Sequence, residues 1–293
     1  MTSLSRKNRI RTIKFLALLS IIRWPNVLFT ALAQYLSAVF IFNEPAEYLT
    51  TLGTLQLHLM VLATICIVSA GFIINSFYDL EKDLVNRPHR TLFNRVISKQ
   101  FCLQTYFFLN AFGLVISALC SWHVLLYFSA FSFLLWFYSH KLQKIPMVRE
   151  LTAAFLSVMS VLSIGLYYAQ LNWGIIHMGL FIGMLLIGRE LIKDLKGIDG
   201  DRAVGNTTIP VQFGRLRTKM IYALVSCLAL FVLFHMAYPN PGNIKIGFVI
   251  GQTILILSIL GLVLGGKIPA DLMVPHRLHK VLLAIAVVYL AFV

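Results

Sequence analysis

Apolar residues run along this chain in long, nearly unbroken stretches separated by short polar connections. Stretches long enough to cross about 30 Å of hydrocarbon as helix, roughly 20 residues each, fall at about 15–42, 55–77, 102–119, 123–139, 151–168, 174–192, 219–237, 244–265 and 277–293. The pattern predicts an all-α polytopic membrane protein with nine transmembrane helices. Strands are excluded, because the runs lack the alternation of a membrane barrel. Backbone groups in lipid must be satisfied within a helix or a closed sheet.

Composition agrees: 59% of residues are hydrophobic and 12% are charged, about half the charge of a soluble domain. The first apolar segment is too long for a cleaved signal peptide, and no small-residue cleavage site stands out. Cys66, Cys102, Cys120 and Cys227 have no paired spacing, which argues for packing rather than disulfides or zinc.

A net charge of +14 could point to nucleic acid, but its distribution points to a membrane. Lys and Arg gather at the N-terminus, after the second, fourth and sixth apolar runs, and between the eighth and ninth; only Lys245 falls in an opposite connection. Cytoplasmic loops carry such an excess. The N-terminus is therefore expected in the cytoplasm and the C-terminus on the other side, in the inner (plasma) membrane of a bacterium.

The two long connections on the basic side, 78–101 and 193–218, also carry most of the carboxylates. They occupy equivalent places after the second and sixth runs, with Asp79 and Asp194 about 115 residues apart, which suggests two related halves. If the second helix continues past its apolar part, Asn75, Asp79 and Asp83 share one face and Glu81 points elsewhere. Carboxylates one turn apart repel, and a divalent cation removes the conflict. Mg²⁺ is held by one or two carboxylates with phosphate oxygens and waters. Arg87 and Arg90 of "NRPHR" suit phosphate oxygens through the planar guanidinium fork. This stretch reads as a metal and diphosphate site.

In "GRELIKDLKGIDGDRAVGNTTIP", residues 188–210, Glu190 and Asp194 share a face, joined by Asp201 if the helix persists through Gly197 and Gly200. Asp194, Asp199 and Asp201 lie among Lys193, Lys196 and Arg202. Charges flanking membrane helices are usually interfacial anchors, but two acidic clusters on the same side favour a site. His276 and His279 lack a third ligand nearby, which favours a juxtamembrane role. The Asn206 sequon falls on the cytoplasmic side, where glycosylation does not apply.

The chain resembles the UbiA superfamily of intramembrane aromatic and lipid prenyltransferases. The resemblance rests on "RWPN" (Arg23 to Asn26), Asn75, Asp79 and Asp83 with "NRPHR", "FYSHKLQKIP", and "RELIKDLKGIDGDRAVGNTTIPVQFG". The last looks most like the digeranylgeranylglyceryl phosphate synthase branch. The resemblance implies a single domain over 1–293, with helices around a central cavity opening to the cytoplasmic side. It implies Mg²⁺ held by Asp79, Asp83, Asp194, Asp199 and Asp201, with Asp79, Asp83, Asp194 and Asp201 catalytic. Asn26, Asn75, Arg87, Arg90, Tyr138, Lys141, Lys144, Lys193 and Arg202 would bind substrates. These are an isoprenyl diphosphate and a lipid or aromatic acceptor, met among membrane lipids.

Three positions depart from the family pattern: Gly197, where an acid is usual; Ser76 after Asn75, where Asp is usual; and Arg149–Glu150, where Gly–Asn is common. Two other classes are weighed beside the enzyme. A transporter would carry ionisable residues at the bilayer midplane, whereas here nearly all sit at one interface. A weakened homologue that binds prenyl diphosphate or scaffolds partners would follow from Gly197.

Overall fold

The computed structural model describes residues 6–42, 47–80, 96–168, 173–203, 205–237 and 242–292. Every regular element among them is helical, as expected where no water is present to satisfy the backbone. In chain order the helices are α1 (Arg6–Ile22), α2 (Trp24–Phe40), α3 (Tyr48–Leu52), α4 (Leu55–Tyr78), α5 (Lys99–Cys120), α6 (Trp122–His140), α7 (Val148–Tyr167), α8 (Trp173–Ala203), α9 (Ile209–Ala237), α10 (Asn243–Gly265) and α11 (Met273–Val288). Short 3₁₀ turns cover Leu142–Lys144, Pro269–Leu272 and Tyr289–Phe292. The chain divides into two compact units, Met1–Leu32 with His58–His140 and Ala33–Leu57 with Lys141–Val293. Helices α2 and α4 each pass from one unit into the other.

Among the described residues, seven helices are long and apolar enough to cross a bilayer, and eight spans result if α1 and α2 count as one bent span. The run 15–42, expected as one helix, breaks at Arg23, whose φ is 56°, and its two parts meet at 55°. Pro25 accounts for the break. It has no N–H for the Ile21 carbonyl and its ring would collide with that oxygen, so the helix restarts at Trp24 with proline in its first turn, where no donor is needed. The Arg23 guanidinium lies 5.3 Å from the centroid of the Phe72 ring, a cation–π distance. The last apolar run, 277–293, contains most of α11, a helix of 16 residues. At 1.5 Å per residue it is about 24 Å long, short of a straight crossing.

In the first unit, Ala17 and Ile21 of α1 are buried with Ile73 of α4 and Ile97. Helix α5 starts at Ser98, whose hydroxyl accepts a hydrogen bond from the Phe101 N–H at 3.2 Å, the usual way to satisfy an orphan N-terminal donor. Helices α5 and α6 pack on each other; their outward residues, such as Phe107, Phe108, Leu119 and Phe133, are exposed, as lipid-facing side chains are.

The second unit is built around α8, which packs against α7, α9 and α11. Phe181, Leu185, Leu191 and Leu195 of α8 share a core with Tyr222, Ile256 and Leu282. The buried Gln34 amide donates to the Ser160 carbonyl at 2.7 Å and the Ser163 hydroxyl at 2.8 Å, a polar tie of the kind that joins helices where hydrophobicity cannot discriminate. Lys219 caps the end of α10 by donating to the carbonyls of Leu264 (2.9 Å) and Gly266 (2.5 Å), which would otherwise be orphaned.

His279 is buried and its Nε2–H donates to the Leu185 carbonyl at 2.6 Å. Together with His276 it belongs to no group of three or more metal-ligating side chains among the described residues. Gly188 makes the approach of α11 to α8 possible. A Cβ there would lie 3.1 Å from His279 Cε1 and 3.2 Å from Tyr222 Cε2, and two rigid rings yield little. Gly188→Ala should therefore cost about 1–3 kcal/mol through overpacking, read as a lower unfolding midpoint in detergent; an unchanged midpoint would show that the rings have room to shift.

Candidate functional site

Helix α4 has 24 residues, about 36 Å of helix, more than the roughly 30 Å of a hydrocarbon core. Asn75 and Asp79 lie one turn apart at that end, on one face as the sequence predicts. The Asn75 amide donates to Asp79 Oδ2 at 2.8 Å, and the Asp79 N–H donates to the Asn75 carbonyl at 2.9 Å. Both side chains are half-buried. Asparagine thus orients the carboxylate from the side without adding charge. Close by, Tyr78 and the His140 ring are 3.2 Å apart at Oη and Nδ1. Asp83, Glu81, Arg87 and Arg90 lie outside the described residues.

Helix α8 persists through Gly197 and Gly200 to Ala203, so the acidic stretch read partly as loop is helical. At 31 residues it is about 46 Å long, and its charged final turns follow an apolar part that already accounts for the bilayer. Asp194 and Asp201 are both buried, at 2% and 6% exposure. Asp199, two residues from Asp201 and so about 200° round the helix, points away. Its carboxylate stays largely exposed, 3.6 Å from Arg215.

Asp194 does not stand open. Arg149, in the first turn of α7, donates from Nη2 to Asp194 Oδ2 and from Nε and Nη2 to Glu150 Oε1 at 2.9 and 2.7 Å. All three are buried. Lys193 is tied to Glu190 Oε2, and Arg189 lies 3.5 Å from Glu190 Oε1. Three carboxylates thus meet three cations. Met147 precedes Arg149 by two residues with φ 67° and ψ −48°, a conformation costly for a side chain with a Cβ and found where surrounding structure demands it. It starts α7 so that Arg149 and Glu150 turn inward.

Several predicted positions come together in the second unit. Thr207 donates to the Lys144 carbonyl at 2.9 Å, joining the turn that carries Lys141 and Lys144 to the loop after the second motif. Asn206 Nδ2 donates to Asp201 Oδ1 at 3.2 Å. Lys141, Lys144 and Arg202 of that unit are exposed; of the positions in the first unit, Tyr138 is half-buried. Asn26 is exposed, with its carbonyl accepting from Thr30. Sequence reasoning singled out Arg149 and Glu150 only as a departure; the signal available was two adjacent charges at the start of an apolar run, which also describes an ordinary interfacial anchor.

The two motifs differ in fitness for Mg²⁺. Asp79 offers a hard oxygen ligand positioned by a neutral donor, which suits an ion completed by phosphate and water. The second motif does not fit one. Its Asp194 is already paired with a buried guanidinium, Asp199 points elsewhere, Gly197 supplies no ligand, and Asp201, two turns on and bonded by the Asn206 amide, would be left as a single carboxylate. Among the described residues no three His, Cys, Asp or Glu side chains gather as a metal site.

Comparison with known proteins places these features. The profile of the UbiA prenyltransferase family matches residues 27–273. Digeranylgeranylglyceryl phosphate synthase of Methanoregula boonei is 32% identical over 183 residues, 59% of this chain and 63% of that protein. That of Methanospirillum hungatei is 28% identical over 82% of this chain and 84% of its own length. The Pyrococcus horikoshii protein of the same name is 26% identical, and the chain spans 60% of its length. These relatives are archaeal. A solved structure concerned with digeranylgeranylglyceryl phosphate synthase shares the fold with a TM-score of 0.72 at 19% identity, covering 95% of this chain and 98% of that one. A UbiA homologue from Archaeoglobus fulgidus, solved with GPP and Mg²⁺, has a TM-score of 0.67 at 15% identity, covering 94% of this chain and all of that one.

The buried ion cluster makes a stability prediction. Arg149→Met leaves two buried carboxylates without their cation and should cost about 3–5 kcal/mol. Gly197→Ala should do the opposite, gaining about 0.5–1 kcal/mol, because a Cβ there meets only Asp201 Oδ2, at an ordinary 3.6 Å. Thermal unfolding in detergent compares the two; a destabilised Gly197→Ala would mean that the helix needs the glycine for its shape.

Proposed function

Because the chain belongs to the UbiA prenyltransferase family, we propose that it transfers an isoprenyl group from an isoprenyl diphosphate to a lipid or aromatic acceptor within the membrane. The observation that carries this reading is the Asn75-oriented Asp79 carboxylate at the end of α4, inside the stretch that the family profile covers. The synthases among its relatives favour a glycerol phosphate lipid as acceptor. The chain would act as one domain over 1–293, crossing the membrane nine times, with the ends of α4 and α8 facing the cytoplasm.

In this reaction the allylic C–O bond breaks, the diphosphate leaves with the electron pair, and an acceptor oxygen or carbon bonds to the prenyl carbon and loses its proton. Mg²⁺ bound through Asp79 and Asp83 would neutralise charge on the departing diphosphate. The remaining steps fall to the chain. Asn75 holds Asp79 in place, Arg87 and Arg90 bind phosphate oxygens bidentately, and Lys141, Lys144 and Arg202 add positive charge, whereas Lys193 would reach substrate only by releasing Glu190. Asn26, Tyr138 and Asp201 complete the residues assigned to substrates and the reaction. An apolar cavity of about 70 Å³ is lined in the second unit by Ala33, Ser37, Val158, Gly179, Ile182 and Leu290 and is apolar enough for a few carbons of a hydrocarbon chain. A second reading, prenyl diphosphate binding without turnover, draws on Gly197 and is decided by the same assay.

Turnover of a panel of prenyl diphosphates and acceptors in liposomes tests the proposal. Asp79→Ala and Asp83→Ala should each lower it at least a hundredfold, an estimate matching the loss of a fixed charge partner at a reacting group. Glu81→Ala should matter far less, and EDTA should abolish activity; equal loss from all three substitutions would sink the helical metal face. Arg87→Lys and Arg90→Lys should raise the KM for prenyl diphosphate, because lysine keeps the charge but lacks the fork. Cysteine labelling should find 78–101 reactive from the cytoplasmic side, and labelling from the opposite side would reverse the topology.

A further inference from the structure

The second acidic motif carries its own cation. Arg149 reaches from α7 to Asp194 of α8 and is gripped by the neighbouring Glu150 through both Nε and Nη2. With Arg189 and Lys193 balancing Glu190, the cluster is neutral as it stands. A divalent ion at Asp194 would have to displace a buried guanidinium, leaving it only Glu150 as counter-charge and setting two fixed cations side by side in a poorly solvated place. The position that could compensate, one turn before Asp201 on the same face, is Gly197. Space is not the reason for a glycine: a Cβ fits there at ordinary contact distance. The absent carboxylate removes negative charge from the motif, and the inserted Arg149–Glu150 pair, neutral as a whole, brings to Asp194 a guanidinium held in place by its own neighbour.

Glu150 bears on the same point. Its Oε2 is buried and has no hydrogen-bond partner among the described residues, so its bonded oxygen serves to orient the guanidinium. The strained Met147 just before it places both side chains at the inward face of α7. Arginine differs from a bound ion in one physical respect: it is covalently attached, always charged and does not exchange.

We propose that Arg149 is the resident cation of the second motif, standing in for a divalent ion there, so that the protein binds a single such ion, at the first motif. This rests on the prenyl-transfer reading above. Arg149 is then a positioning residue, and the count of bound ions reports on it in a way that a merely structural role would not.

The experiment titrates the full chain in micelles with Mn²⁺ and saturating geranyl thiodiphosphate, a slow donor, and counts ion retained on ultrafiltration after subtracting protein-free micelles. The expected result is a single Mn²⁺ per chain, lost in Asp79→Ala. Two per chain, with turnover of the prenyl donor intact, would overturn the inference and leave the prenyl-transfer reading standing. None, with no turnover, would remove that reading and the inference with it. The double variant Arg149→Asn with Gly197→Asp should gain a second ion; folded protein that still binds one would also count against Arg149 as the replacement. Should that variant not fold, the wild-type count decides alone.

Discussion

Hydrocarbon is a poor solvent for charge, and that constraint orders the molecule. Every backbone group crossing it must be bonded within a helix, and ionisable side chains are pushed to helix ends or must arrive with partners. Helices α4 and α8 are longer than a bilayer requires, and the excess carries polar chemistry: Asn75 and Asp79 on one, Glu190, Asp194 and Asp201 on the other. Where carboxylates are nonetheless buried, as at Asp194 and Glu150, a guanidinium is buried with them.

Backbone irregularities sit where they serve this arrangement. Among the described residues only Arg23 and Met147 take a positive φ without being glycine. The first lies where Pro25 forces a helix to restart, the second where α7 must begin with Arg149 and Glu150 turned inward. Such conformations cost roughly 1–3 kcal/mol each and persist because neighbouring contacts depend on them. In the second unit, the same logic gives Gly188 its place, since the rings of His279 and Tyr222 would crowd a Cβ at 3.1 and 3.2 Å.

The two acidic motifs, alike in sequence, are unlike in chemistry. Asp79 is oriented by a neutral amide, one turn back on its own helix. Asp194 is consumed by an internal ion pair. A pattern of carboxylates at helical spacing therefore does not establish what binds there; the third party is the residue that the rest of the fold brings to each carboxylate.

The sequence by itself determined the solvent, the helical class and the face shared by Asn75 and Asp79. Apolar run length and helical period are local properties that no packing can reverse. It also located the second motif, and the family pattern was legible in stretches whose spacing is local. Tertiary structure decided the rest. The bend at Arg23 was foreshadowed by Pro25, yet its angle depends on what the two halves pack against. Persistence of α8 through Gly197 and Gly200 runs against the intrinsic preference of glycine and follows from contacts with α7, α9 and α11. The neutralisation of Asp194 joins residues 45 positions apart, and no local signal could distinguish Arg149 from an interfacial anchor, because pairing between separate helices is set by how they pack.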